Sequence, residues 1–115
     1  MSATVLLSVG DASGDVYAAD LVRELRVLRP TVRFLGLGGA QMEKAGVEVT
    51  VDQRDVAVGG LVEPLPDLHR VVSAWRRLGS ALEARRPDLV ILVDSGGFNL
   101  PFARRARRAG LPVLY

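Results

Sequence analysis

Two short runs of apolar residues without polar alternation constrain the fold of this chain most strongly. One run, Leu89–Val93, reads LVILV and stops at Asp94, and the other, Thr4–Val9, reads TVLLSV and stops at Gly10. Strands that are apolar on both faces are typical of parallel sheets that helices cover on each side. The sequence therefore predicts an α/β fold with a Rossmann-like parallel sheet and helices on both of its faces.

Helical spacing and turn residues predict the remaining elements. Apolar residues recur every three or four positions after residue 15 and again after residue 67, which is typical of amphipathic helices. Glycine and proline mark the ends of several segments, and GLGG at 36–39 is interpreted as a turn. The predicted elements are a helix over 16–28, a strand over 32–37, a short helix over 40–45, a strand over 47–51, a loop with one helical turn over 55–66, helices over 68–84 and 98–109, and a strand over 111–115.

Length and composition limit the chain to one domain or part of one. With 115 residues, of which 49% are hydrophobic, it can bury a single core. The sequence has no apolar run of about 18 residues for a membrane span, no secretory signal pattern and no cysteine. We expect a cytoplasmic protein. Because the sequence stops on the strand-like LPVLY, residues 1–115 are interpreted as an incomplete Rossmann-like domain.

Arginine carries almost all of the positive charge. The net charge is +2, with fourteen arginines and one lysine, and arginines cluster at 76–77, 85–86, 104–105 and 107–108. Such clusters suit phosphate, nucleic acid or an anionic membrane surface, and they equally suit the solvated face of a helix. Nucleic acid is disfavoured because exposed aromatic residues are not interleaved with the arginines.

The polar segment GDASGD, directly after the first predicted strand, is a candidate binding loop. Ligands of open parallel sheets bind beyond the carboxyl ends of the strands, where loops and helix amides gather. Gly10 and Gly14 allow close approach of a ligand, and Ser13 can cap the helix. Asp11 and Asp15 supply carboxylates. The segment lacks the patterns of a phosphate loop and of a dinucleotide fingerprint, so a polar ligand such as a sugar, or a plain turn with a helix cap, stays open.

Asp94 is the sharpest candidate for chemistry. It is the first polar residue after a five-residue apolar strand, and small residues follow it. A general base needs such access to take a proton from a hydroxyl, although an aspartate here would also cap the following turn. Phe98 and Asn99 either line the same pocket or begin the next helix. No metal site is favoured, because His69 is the only histidine and cysteine is absent.

Three motifs in one order form a recognisable pattern. They are GDASGD at 10–15, VGGLVEPL at 58–65 and PDLVILVDSGGFN at 87–99, with GLGGAQMEKAG at 36–46 between the first two. With these motifs the chain resembles the amino-terminal part of the lipid-A-disaccharide synthases over nearly all of its length. The resemblance implies part of a two-domain glycosyltransferase, whose two Rossmann-like domains face each other across a cleft.

The resemblance also implies a reaction and a set of site residues. The family transfers diacylglucosamine from UDP-diacylglucosamine to diacylglucosamine 1-phosphate with inversion, giving a β-1,6 link, and no metal or other cofactor is implied. Asp94 matches the aspartate proposed as general base, and Gly10 to Asp15 would lie beneath the acceptor sugar. Gly60 and Glu63 match a glycine and a glutamate of the middle motif. The implied partners are the two lipid substrates and the periphery of the inner membrane, and a homo-oligomer is left open.

The chain departs from the family pattern at three points. Gly96 and Gly97 stand where the family commonly has a proline and a second acidic residue, and Asp11 stands where a glutamate is usual. The family also runs to several hundred residues, so the carboxyl-terminal domain that would bind the UDP-sugar is missing from these 115 residues. We expect the chain to be inactive without that domain. A non-catalytic sugar- or nucleotide-binding module of the same fold is the alternative interpretation.

Overall fold

The computed structural model describes residues 3–56, 68–94 and 96–115, with all of their side chains except those of residues 68 and 96. Strands and helices alternate along these ranges. The elements are β1 Thr4–Val9, α1 Ala12–Leu28, β2 Arg33–Gly38, α2 Ala40–Lys44, β3 Glu48–Asp52, a 3₁₀ turn Gln53–Asp55, α3 Leu68–Arg85, β4 Leu89–Val93, α4 Gly96–Arg108 and β5 Val113–Leu114. Within the described ranges, no helix has the length and apolar character that a bilayer span requires.

The strands form one five-stranded parallel sheet in the order β3-β2-β1-β4-β5. The central strand β1 pairs on one side with β2 and on the other with β4, where Val9 lies opposite Val93. Parallel neighbours need crossover connections, which the helices supply. The predicted Rossmann-like α/β fold is therefore confirmed.

Each face of the sheet carries its own apolar core, because successive strand residues point to opposite faces. The core under α1 and α2 contains Val5, Leu7, Val9, Ala18, Ala19, Val22, Phe34, Met42, Val47 and Ile91. The core under α3 and α4 contains Leu6, Leu37, Val51, Ala74, Leu78, Leu82, Val90, Leu92, Phe102 and Ala106. Helices thus cover both faces, as the apolar strands predict.

Two helices begin earlier than their apolar spacing predicts. The first turn of α1, from Ala12, is small and polar, so it adds nothing to the apolar periodicity that starts at residue 16. The first turn of α4 begins with two glycines at Gly96, two residues before the predicted start. A 3₁₀ turn lies at Gln53–Asp55, and residues 57–66 of the loop predicted over 55–66 lie outside the described residues.

The glycines at 36–39 lie inside and just beyond β2, so the prediction of a plain turn is wrong. Gly36 has a φ of 139°, and a Cβ there would overlap the carbonyl oxygen of Leu7 in β1. This backbone angle and close approach suit glycine. The register of β2 against β3 shifts between Gly36 and Leu37. A glycine within a strand marks such a bulge as readily as it marks a turn.

The carboxylate of Asp55, in the 3₁₀ turn after β3, forms ion pairs with two arginines of α3. Asp55 accepts hydrogen bonds from Arg77 at 2.8 Å and from Arg70 at 3.0 Å. The Arg77 and Arg70 guanidinium groups hold the pKa of Asp55 below its ordinary value of 3.8, although desolvation opposes them. Because the two arginines lie two turns apart on α3, this single acid joins two turns of the helix to the end of β3.

We expect acid to weaken this link. A carboxyl with a lowered pKa in the folded state stabilises the fold above its unfolded-state pKa, and the contribution is lost as the pH falls through the folded value. Urea unfolding at about pH 7 and about pH 3 should show a smaller acid-induced loss of unfolding free energy for Asp55→Asn than for the native chain. Asp20→Asn, which removes an exposed pair with Arg23, is the control. Identical acid sensitivity in all three proteins would contradict the link.

Candidate functional site

The two predicted site segments meet at the centre of the sheet. β1 ends at Val9 and β4 ends at Val93, and these two residues are neighbours across the strand pair. The chain leaves β1 towards β2 on one side and leaves β4 towards β5 on the other. Ligands of open parallel sheets bind in the crevice at such a switch point. The fold therefore brings together the loop that begins at Gly10 and the strand tip at Asp94.

Asp94 presents its carboxylate at this switch point. The residue is exposed and has a φ of 49°, a left-handed conformation that residues other than glycine adopt infrequently. Its backbone carbonyl accepts from Asn99 Nδ2 at 2.8 Å and from the Tyr115 hydroxyl at 3.0 Å. Among residues 3–56, 68–94 and 96–115, no donor forms a hydrogen bond with its carboxylate. The protein thus holds the backbone and leaves the carboxylate accessible to a ligand.

Asp11, not Ser13, organises the glycine loop. Asp11 is the N-cap of α1, and its Oδ1 accepts from the Gly14 amide at 2.6 Å and from the Ser13 hydroxyl at 3.3 Å. The prediction that Ser13 caps the helix is wrong, because the helix already includes that residue. A Cβ on Gly14 would lie 2.7 Å from both Asp11 Oδ1 and Val9 Cγ1, so a side chain has no space there. Gly10 and Gly14 are buried, Asp11 is half-buried and Ser13 is exposed.

Asp15 is a buried structural acid in this structure. It is 4% exposed, and its carboxylate accepts from the backbone amides of Gly39 at 3.1 Å and of Gln41 and Met42 at 2.9 Å. These amides belong to the first turn of α2, whose own N-cap, Gly39, has no side chain to offer. The sequence predicts Asp15 as a carboxylate of the binding loop, whereas in the structure it caps the neighbouring helix.

Asn99 lies beneath the site and is fully buried. Its Oδ1 accepts from the Ser8 hydroxyl at 2.6 Å, and its Nδ2 faces the carbonyl oxygens of Ser8 at 3.1 Å, Val93 at 3.2 Å and Asp94 at 2.8 Å. The side chain therefore lies in the interior instead of lining the crevice, and contact with a ligand would require it to leave these partners. Ser8 is not predicted as a site residue, although it is a polar residue near the end of the mainly apolar run Thr4–Val9.

Phe98, Gly60 and Glu63 are the remaining predicted site residues, and the structure describes only the first of them. Phe98 is half-buried and stacks on Phe102, with ring centroids 6.4 Å apart. Gly60 and Glu63 lie outside the described residues. His69 is exposed on α3, and no group of three or more potential metal ligands occurs in the part of the chain that the structure describes.

A second cleft, of about 500 Å³, lies at the carboxyl ends of β2 and β3. Its lining is largely polar and consists of Asp15, Gly39, Ala40, Glu43, Val49, Asp52, Gln53 and Arg54. The Arg54 side chain lowers the pKa of the Asp52 carboxyl through a hydrogen bond. Carboxylates and an amide can bind the hydroxyl groups of a polar ligand. No single motif in the sequence marks this cleft, because separate elements contribute its lining.

The fold and the switch-point site define this chain as a Rossmann-like α/β domain with a candidate ligand site at the carboxyl edge of its sheet. A family model described as lipid-A-disaccharide synthetase matches residues 5–115. The chain belongs to the lipid-A-disaccharide synthase family, as its motifs predict.

Curated relatives with the name lipid-A-disaccharide synthase align with almost the whole chain. The relative from Nitrosococcus oceani is 47% identical over 111 residues, and that from Myxococcus xanthus is 43% identical over 111 residues, each alignment covering 96% of this chain. The relative from Syntrophus aciditrophicus is 42% identical over 114 residues, covering 99% of this chain. The chain spans 29–30% of the length of these relatives. Their amino-acid similarity therefore concerns one part of a longer polypeptide.

Two solved structures share the fold at low sequence identity. A C-terminal domain of a hydrogenase from Pyrococcus furiosus has a TM-score of 0.61 at 18% identity, with 97% of this chain and 88% of that chain covered. MurG from Acinetobacter baumannii has a TM-score of 0.54 at 14% identity, with 98% of this chain and 34% of that chain covered. At such identities the likeness concerns the fold alone.

Replacing Asp15 by asparagine should destabilise the fold. An amide offers one oxygen to three backbone donors, so we expect the unfolding free energy to fall by about 1–3 kcal/mol. Urea unfolding of the purified chain measures the change. Asp20→Asn alters an exposed carboxylate on the same helix and should stay within about 0.5 kcal/mol of the native chain. Equal stability losses in the two variants would contradict the capping role of Asp15.

Proposed function

We propose that this chain is the acceptor side of a glycosyltransferase. In the proposed reaction, diacylglucosamine moves from UDP-diacylglucosamine to diacylglucosamine 1-phosphate with inversion, which gives a β-1,6 link and releases UDP. The observation that carries the proposal is the exposed carboxylate of Asp94 at the switch point of a sheet whose sequence belongs to the lipid-A-disaccharide synthase family. The UDP-sugar would bind to a part of the enzyme beyond these 115 residues.

Asp94 would act as the general base of this transfer. Its carboxylate would take the proton of the acceptor hydroxyl while that oxygen forms a bond to the anomeric carbon of the donor. The bond from the anomeric carbon to UDP breaks at the same time, and UDP leaves with its electron pair. Attack on the face opposite the leaving group explains the inverted configuration. Support comes from the accessible carboxylate, since a base must reach the proton it removes.

The glycine loop would support the acceptor sugar next to Asp94. Gly10 and the buried Gly14 bring the backbone close to the switch point without side chains in the way. Asp11 is half-buried and keeps part of its carboxylate surface available beside its capping bonds. Gly60 and Glu63 are carried over from the family motif alone and complete the proposed acceptor site.

Replacement of the proposed base tests this function. Asp94→Asn in the complete gene product should lower kcat for transfer by about 10²- to 10⁴-fold, because an amide cannot accept the proton. Transfer from UDP-diacylglucosamine to the lipid acceptor is the measurement. Asp88→Asn is a matched control, since Asp88 is exposed at the opposite end of β4 and binds the Thr4 amide. Unchanged transfer by Asp94→Asn would contradict the base role, whereas absence of transfer by the native gene product would favour a non-catalytic sugar-binding module.

The arginine clusters support a peripheral contact with anionic lipid. Arg77, Arg85 and Arg105 each pair with an acid, at distances of 2.7–3.0 Å. Arg104 and Arg108, one turn apart on α4, are exposed and form no ion pair with any residue in the described ranges. They line a groove of about 430 Å³ together with Trp75, Pro101 and Arg105. Such unneutralised charge is available to lipid phosphates.

Vesicle binding tests this contact. The double change Arg104→Gln and Arg108→Gln should weaken sedimentation of the protein with phosphatidylglycerol vesicles, by about 1 kcal/mol for each arginine. Added salt should weaken binding of the native protein because it screens the same attraction. Arg29→Gln with Arg33→Gln removes equal charge from two exposed arginines that also form no ion pair within the described ranges, and is the control. Equal binding by the two double variants would argue against the α4 surface.

A further inference from the structure

We propose that Asn99 and Ser8 form a positioning unit for Asp94. The inference rests on the proposed function, because it assumes that the Asp94 carboxylate takes part in the transfer. Asn99 would not touch the substrate. It would act through the backbone of Asp94, and Ser8 would act through Asn99.

The Asn99 amide joins three elements at the switch point. Asn99 lies in the first turns of α4, Ser8 lies near the end of β1, and Val93 ends β4. A single nitrogen, Asn99 Nδ2, lies within 3.2 Å of the carbonyl oxygens of Ser8, Val93 and Asp94. The shortest of these contacts, 2.8 Å, is with Asp94. The strand end that carries the proposed base is therefore fixed to the neighbouring strand through one side chain.

Asp94 needs such a restraint because of its backbone conformation. Its φ of 49° is left-handed, a conformation that is unfavourable for an L-residue. A residue in such a conformation keeps it only where the surroundings impose it. Two donors, Asn99 Nδ2 and the exposed Tyr115 hydroxyl, bind the Asp94 carbonyl. If Asn99 were lost, Asp94 could relax to the common backbone regions, and its carboxylate would change position.

Ser8 binds the oxygen of the Asn99 amide and so supports the orientation that the three carbonyls require. The Ser8 hydroxyl donates to Asn99 Oδ1 at 2.6 Å, and both residues are 0% exposed. With the oxygen bound there, the amide nitrogen points at the three carbonyls. The reversed amide would place its oxygen against carbonyl oxygens in the interior, where unpaired polar groups are unfavourable. Removal of the Ser8 hydroxyl should therefore loosen Asp94 without any change at Asp94 itself.

A double-mutant cycle with Asp94 tests the inference in the complete gene product. We expect Asn99→Ser to lower kcat for transfer by about 10²-fold with KM unchanged, the size expected for a displacement of about 1 Å. Ser8→Ala should lower kcat by a smaller factor. Combined with Asp94→Asn, neither change should lower kcat further, because both act through the Asp94 carboxylate. The backbone ¹³C chemical shifts of Asp94 should also move from left-handed towards extended values in both variants.

The controls separate a positioning role from a loss of stability. Thr50→Val removes a half-buried hydroxyl that donates to the Gly36 carbonyl elsewhere in the sheet, and it should lower the melting temperature with kcat unchanged. If Asn99→Ser does not fold, the double-mutant cycle of Ser8→Ala with Asp94→Asn tests the positioning role. The positioning role alone would be overturned if the loss of kcat in either variant multiplied with the loss caused by Asp94→Asn. Full activity of Ser8→Ala and Asn99→Ser would overturn it as well. Full activity of Asp94→Asn would overturn the proposed base, and the positioning role with it.

Discussion

The pairing of β1 with β4 is the interaction on which the rest of this structure depends. These strands are more than 80 residues apart in the sequence, yet they are neighbours at the centre of the sheet, from Val5↔Leu89 to Val9↔Val93. Both apolar cores take residues from both strands, Val9 and Ile91 on one face and Leu6 and Val90 on the other. Since the same pairing also brings Gly10 next to Asp94, the chain cannot assemble its candidate site without first assembling its core.

Buried polar side chains connect the elements at the carboxyl edge of this sheet. In the described ranges the buried polar residues are Ser8, Asp15 and Asn99, and all three lie at that edge. Burial of a polar group is unfavourable unless the group is hydrogen-bonded, and each of these side chains has its partners within the protein. Asp15 connects α1 to α2, while Asn99 connects β1, β4 and α4. The edge around Asp94 is therefore held in place before any ligand arrives.

The layers of this fold are predictable from local pattern, whereas the roles of its buried acids are not. Uninterrupted apolar runs identify β1 and β4, because a strand buried on both faces cannot alternate. The role of Asp15 cannot be predicted from local pattern, since the amides it binds come 24 to 27 residues later in the sequence. Only the folded chain brings α2 next to it. Whether Asp11 or Ser13 caps α1 depends on where the helix starts, which its small polar first turn does not reveal. The family motifs predict membership in the lipid-A-disaccharide synthases, while the individual site roles remain proposals.

The distribution of arginine explains why Asp94 is the acid to consider for catalysis. Arginine pairs with five carboxylates of the described ranges, those of Asp20, Glu48, Asp52, Asp55 and Glu83. Such pairing makes an acid a poorer proton acceptor, as the lowered pKa values of Asp52 and Asp55 illustrate. Asp94 forms no ion pair with any arginine in the described ranges. That property is shared by Asp11, Asp15, Glu24, Glu43 and Asp88. The carboxylates of Asp11, Asp15 and Asp88 instead accept hydrogen bonds from backbone amides, and neither glutamate stands at the end of a strand beside the switch point. Within the described ranges, Asp94 therefore combines the switch-point position with a carboxylate that has neither a cation nor a hydrogen-bond donor.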